Sequence, residues 1–139
     1  MLNSNDPEVF ERVAPDVFDN PIDPRWSAEF LADERHHLAV ALAEGQVVGM
    51  ASAVHYLHPD KPPELWVNEV GVAPAYQGQG IGKRLLQALF AHGRDLGCGE
   101  AWVLTDQENA AARRLYAAAG GSETADVVMV SFRLDPGDS

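Results

Sequence analysis

Hydrophobic and polar positions follow two periods along this chain, and the dominant one changes near residue 81. Before that point the apolar residues come in short runs broken by turn formers. Leu38-Ala39-Val40-Ala41-Leu42 and Val47 to Val54 are compact apolar stretches separated by Glu44-Gly45-Gln46. Together they predict an antiparallel hairpin. The segment His58-Pro59-Asp60-Lys61-Pro62-Pro63 predicts a loop, because prolines cannot donate to a ladder. Leu65 to Val72 then reads as a buried strand. From Ile81 the apolar residues Ile81, Leu85, Leu86, Leu89, Phe90 and Leu96 can share one face of a helix, which Gly97 and Gly99 end.

The remaining elements carry weaker signals. Val9 to Val13 alternates enough to predict a first strand, followed by one short helix near Pro15 to Phe18 and another opened by Pro24 through Leu31. Glu100 to Thr105 predicts a short strand. Asn109 can cap a helix through Ala119, closed by Gly120-Gly121. Val127 to Leu134 predicts a final strand, and residues 136–139 a disordered polar tail. The expected order is β-αα-βββ-α-β-α-β. This is an α/β fold with a mixed, mostly antiparallel central sheet flanked by helices, in a single domain over residues 1–139.

Composition narrows the function classes. The chain has 139 residues, 46% of them hydrophobic and 22% charged, within the range of globular domains. No apolar run approaches the roughly 18 residues of a membrane span, and Met1 to Asp6 lacks the basic and apolar start of a secretory signal. The lone Cys98 allows no internal disulfide, and the expected location is the cytoplasm. The formal net charge is -11 without a basic patch, so nucleic acid and membrane are not expected partners. That acidity suits solubility and equally suits a cationic partner. The five histidines form no recognised metal-ligand spacing, so no metal is expected. Trp26, Trp66 and Trp102 read as core or strand-packing residues.

The most informative stretch is Val70-Gly71-Val72-Ala73-Pro74-Ala75-Tyr76-Gln77-Gly78-Gln79-Gly80-Ile81-Gly82-Lys83-Arg84. A strand runs into a glycine loop, which opens an amphipathic helix. Gly78, Gly80 and Gly82 allow close approach of a ligand to the backbone. The unpaired N–H groups at the helix start suit phosphate or pyrophosphate. A Walker loop is excluded, since Gln77 stands where its first glycine belongs and Arg84 where Ser or Thr belongs. Gly78-x-Gly80-x-Gly82 also lacks the last spacing of a dinucleotide fingerprint.

Gln77-x-x-Gly80-x-Gly82, after a Val-Gly-Val strand end, resembles the acetyl-CoA signature of the GCN5-related N-acetyltransferase (GNAT) family. Asn109-x-x-Ala112-x-x-Leu115-Tyr116-x-x-x-Gly120 is similar to that family's later motif. With Glu69-Val70-Gly71-Val72, the chain looks nearest to members like the aminoglycoside 3-N-acetyltransferases. One departure is Gly121 where the family commonly has Phe, which removes an aromatic packing element from the final turn.

The resemblance implies acetyl-CoA as cosubstrate and a small-molecule amine as acceptor. Alternatives are a protein or peptide amine, or an inactive CoA-binding module. It implies that backbone groups of Val70 and Val72 pair with the pantetheine arm. The backbone of Gln77, Gly78, Gln79, Gly80 and Gly82, with Lys83, would hold the pyrophosphate, and Asn109 would contact the pantetheine. Homodimers through the last strands are also implied.

Acetyl transfer needs a neutral amine, an oxyanion stabiliser and a proton for the leaving thiolate. Glu69, a carboxylate in an apolar strand, is the expected base, and Tyr116 the expected acid. Asp60, Glu64 and Glu69 are expected to form an acidic rim for a polycation.

Overall fold

The computed structural model describes residues 7–135, so the expected tail at 136–139 lies outside the described residues. The first helix, α1 (Pro24–Ala32), starts where Asp23 accepts from the backbone N–H groups of Arg25 and Trp26. With Pro24 in the first turn, this is a strong N-terminus. The strands β1 (His36–Ala43), β2 (Gln46–Tyr56), β3 (Glu64–Val72) and β4 (Glu100–Val103) form one sheet in the order β1-β2-β3-β4. The first two pairs are antiparallel and β3 with β4 is parallel. A two-residue turn joins β1 to β2, with Glu44 at φ 52 and Gly45 at φ 79. Positive φ at both central residues gives the backbone twist that a tight hairpin needs.

The helix α2 (Ile81–Asp95) buries Ile81, Leu85, Leu86 and Leu89 against Ala39, Ala51, Ala53, Leu65 and Val67 on one face of the sheet. Gly93 allows this close approach, since a Cβ there would lie 3.1 Å from Leu65 Cδ2. The other face packs Leu38, Val48 and Met50 beneath Ala14, Val17 and the N-terminal segment. A last helix, α3 (Ala110–Ala118), is capped by the Asn109 side chain accepting from Ala112 N–H at 3.0 Å. Among the described residues, no helix is long and apolar enough to cross a membrane.

Three expected elements are corrected. Residues Pro7–Glu11 form a 3-10 helix, not a strand, and only Val13 bridges to Val47. That bridge lies beyond the end of β3, where the edge of β2 is open for a single residue. Pro15 to Phe18 is a series of turns and not a helix, with Asp16 at φ 65 breaking it. Val127 to Leu134 forms no strand: Val128 is 79% and Phe132 82% exposed. An alternating apolar pattern becomes a strand only when a ladder partner is within reach, and this segment does not join the sheet.

Candidate active site

Two irregularities in the sheet create the site. First, Ser52 pairs with Glu69 and Ala53 with Val67, so Asn68 is an extra residue on β3. Such a bulge bends the strand and re-aims the residues beyond it. Second, β3 pairs with β4 only from Glu64↔Glu100 to Val67↔Val103. Beyond that point the two strands part, leaving the second half of β3 with one unpaired edge. Ala73 N–H bonds Val48 O at 2.8 Å, on the β2 side. Alternation along the strand therefore turns the backbone groups of Val72 and Val70 toward the open edge. The Val72 carbonyl there accepts from Gln77 Nε2 at 3.0 Å.

The loop after β3 leads to the start of α2. Gly78 and Gly80 lie at φ 80 and 78, a conformation that side chains disfavour, and a Cβ at either would meet nothing within 4 Å. Both are open to an incoming ligand. The first α-helical bond is Arg84 N–H to Gly80 O at 3.2 Å, and no side chain caps Gly80. The N–H groups from Gly80 to Lys83 thus have no intrahelical acceptor. Together with the positive end of the helix dipole, they fit a pyrophosphate. Gly82 serves packing: a Cβ there would lie 3.2 Å from the Leu115 methyls, so it brings α3 against α2.

Glu69 faces away from α2. It pairs with Ser52, and its neighbour on the same face, Gly71, has no room for a Cβ because the Val17 carbonyl oxygen occupies that place. The loop carrying Val17 thereby comes down onto β3 and brings Asp19 near Glu69. Partial desolvation, and then the charge of Asp19, raise the Glu69 pKa. Tyr116 lies on α3 next to Leu115, packed against the α2-side core, and burial raises its pKa. It therefore keeps its proton through the neutral range. The oxygen of the Asn109 carboxamide is used as the α3 cap, which leaves its NH2 group as the donor available to a ligand.

The expected acidic rim does not form as a unit. The Glu64 carboxylate is held by Lys61 Nζ at 3.1 Å, Tyr56 Oη at 3.1 Å and Trp102 Nε1 at 3.1 Å, and its side chain is largely buried. The lysine contact is the chief cause of its lowered pKa. Asp19, which has no motif around it, takes the place beside Glu69; only the close packing on Gly71 reveals it. The turn at Gly121 is closed without the family's aromatic residue. Gly120, at φ 95, donates to Ala117 O and Gly121 donates to Tyr116 O.

A sheet opened between two parallel strands, above a glycine loop and a helix start, defines an acyl-CoA N-acyltransferase fold. Residues 4–120 match the Acetyltransferase (GNAT) family, so the chain belongs to it. It is 36% identical to an N-alpha-acetyltransferase RimI of Mycobacterium tuberculosis, over 75% of this chain and 63% of that relative. It is 32% identical to an aminoglycoside N(6')-acetyltransferase type 1 of Stenotrophomonas maltophilia, over 88% of this chain and 81% of that relative. Among solved structures it resembles an aminoglycoside N-acetyltransferase in complex with CoA, at a TM-score of 0.70 and 26% identity, over 78% of this chain and 84% of that one. The aminoglycoside relative carries the 6' position in its name, where the resemblance in sequence points to the 3 position.

Proposed function

We propose that this chain is an acetyl-CoA-dependent N-acetyltransferase that acetylates a primary amine of a small cationic molecule, such as an aminoglycoside or polyamine. The observation that carries this reading is the division of labour on β3. Its open edge at Val70 and Val72 is continuous with the glycine loop, while Glu69 lies on the face away from α2. A pantetheine arm added along that edge would bring a thioester to the level of Glu69. The solved relative with bound CoA supports the cosubstrate, and the aminoglycoside relative supports the acceptor class.

In the proposed reaction Glu69 takes a proton from the acceptor ammonium, and the free amine attacks the thioester carbonyl carbon. The carbon–nitrogen bond forms, the Val72 N–H stabilises the oxyanion, and the carbon–sulfur bond breaks as the nitrogen releases its second proton to solvent, from which Tyr116 is reprotonated after each turnover. Tyr116 gives its proton to the departing thiolate. The raised pKa of Glu69 suits a base, and that of Tyr116 an acid that stays protonated until the thiolate leaves.

The 36% identity to an N-alpha-acetyltransferase favours a second reading, a peptide amine as acceptor. Thermal unfolding with acetyl-CoA, against ATP and NAD, tests the cosubstrate. At about 100 times the dissociation constant the fold should gain roughly 2.7 kcal/mol. Thiol release with sisomicin, spermidine and an alanine-terminated peptide then separates the acceptors. Stabilisation by acetyl-CoA without turnover of any amine would identify an inactive CoA-binding module.

The same proposal includes a homodimer. Val127 to Leu134 exposes an apolar row that a second copy would cover. Sedimentation should give a dimer for the full chain and a monomer after removal of residues 124–139; a monomer for both discards the dimer.

A further inference from the structure

The face of the sheet that carries Glu69 also carries a stacked pair of tryptophans. Trp66 on β3 and Trp102 on β4 are register partners. Their rings lie 5.1 Å apart at an interplanar angle of 12°. Trp66 pairs with Val54 and Glu69 with Ser52, two residues apart on β2, so both point away from α2. The bulge at Asn68 shortens the path between them, so they stand about 7 Å apart along the sheet, the rise of two residues on β2.

Of the two roles expected for these tryptophans, core or strand packing, this pair takes the second. Trp66 is 37% exposed, whereas Leu65 and Val67 beside it are 1% and 2% exposed. The pair is nevertheless fixed. Trp102 Nε1 donates to Glu64 Oε1 at 3.1 Å and to Tyr56 Oη at 3.0 Å. Lys61 neutralises that carboxylate from the solvent side. A flat aromatic surface is thus held rigid, with its polar edge satisfied inside and Trp66 accessible. Beside it, on the same face, stand Glu69 and Asp19, both exposed.

Rigid indole faces attract cations and the apolar faces of saturated rings, and their geometry costs a ligand no reorganisation. We infer that Trp66, backed by Trp102, is the acceptor platform: an aminated saturated ring lies on the indole while its reacting amine reaches Glu69. The spacing of about 7 Å lets a ring lie on the indole while an amine carried on that ring or the next one reaches Glu69. The inference rests on the acetyltransferase reading of Glu69. It assigns the acceptor's skeleton to a named surface and makes Trp66 a specificity-determining residue. A linear polyamine offers charge but no ring face, and depends on Trp66 less.

The test uses the full chain with Trp26→Phe, which removes the exposed indole of α1 and leaves the platform pair as the fluorophores. Titration with sisomicin, without acetyl-CoA, should change the indole emission saturably. Trp66→Leu keeps apolar bulk on the strand and should abolish that change. In turnover assays it should raise KM for sisomicin about tenfold, the cost of one lost stacking contact. KM for acetyl-CoA should stay within about twofold, and KM for spermidine should move less than that for sisomicin. Trp66→Phe should recover part of the loss, which a merely structural role would not produce. Equal effects on both cosubstrates, or a changed oligomeric state with unchanged KM, would overturn the inference and mark the face as packing or as a contact between chains. If no amine is turned over, the emission titration still decides: saturable quenching keeps the platform while the acetyltransferase reading falls, and a flat titration removes the platform.

Discussion

In the proposed function the two sides of β3 work by different means. On its open edge and in the loop beyond, the parts that would bind acetyl-CoA are backbone groups: Val70, Val72, and the N–H groups at the start of α2. Side chains there mostly stay out of the way, as at Gly78 and Gly80. On the face away from α2 the parts that would meet the acceptor are side chains: Glu69, Asp19, Trp66 and Trp102. Backbone sites tolerate change poorly in conformation but little depends on residue chemistry. Side-chain sites keep their fold under substitution and lose their chemistry. Such a division would let one scaffold hold a constant cosubstrate while its acceptor varies.

The sharpest way to break this contrast is at Glu69. Glu69→Gln should lower kcat by about 100-fold or more, leave the acetyl-CoA dissociation constant unchanged, and leave the unfolding midpoint unchanged or slightly raised. The loss should shrink as pH rises, because more acceptor is then already neutral; a pH-independent loss would mean that Glu69 positions the acceptor and does not take its proton. On the backbone side, Gly80→Val should do the reverse. It forces a branched residue to φ 78, costing about 1–2 kcal/mol of stability, and should weaken acetyl-CoA binding at least about tenfold while the acceptor still binds. Unchanged acetyl-CoA affinity would remove the loop from the site.

A region outside both sides provides a control. His37 on β1 is 5% exposed, bonds His55 at 2.7 Å and meets the His92 ring at 4.6 Å. Burial, then the positive charge that His92, His55 and His36 can carry, lowers its pKa to about 4. The unfolded chain binds this proton at a higher pH than the folded one. Stability is therefore intact above about pH 6.5 and falls as pH drops toward 4. The expected loss is about 3 kcal/mol, read by urea unfolding across that range. His37→Phe should flatten the curve without changing neutral-pH turnover.

Smaller effects sharpen the comparison. Asn109→Ala should destabilise by about 1 kcal/mol through loss of the α3 cap, read by thermal unfolding, with an added rise in KM for acetyl-CoA only if its NH2 group also binds the pantetheine. Tyr116→Phe should change kcat least, and only if protonation of the thiolate limits the rate. A fall in acetyl-CoA affinity instead would give Tyr116 a packing role.

Residue order alone fixes whatever local chemistry can decide. Glycines at 78 and 80 announce a loop that a ligand can approach closely, Asn109 a helix cap, the spacing of Ile81 to Leu89 a helix face, and the apolar runs the central hairpin. These signals need only near neighbours. Long-range packing sets the rest. The extra residue Asn68 sets which face Glu69 takes, and it is visible only against the register of β2. The parting of β3 and β4 opens the edge at Val70 and Val72, and no residue pattern in either strand encodes it. Asp19 reaches Glu69 because Gly71 lets the Val17 loop descend, and Glu64 leaves the acceptor rim because Lys61, Tyr56 and Trp102 hold it. The apolar pattern of Val127 to Leu134 specifies a strand, but pairing is a property of two segments, and among the described residues no strand pairs with it.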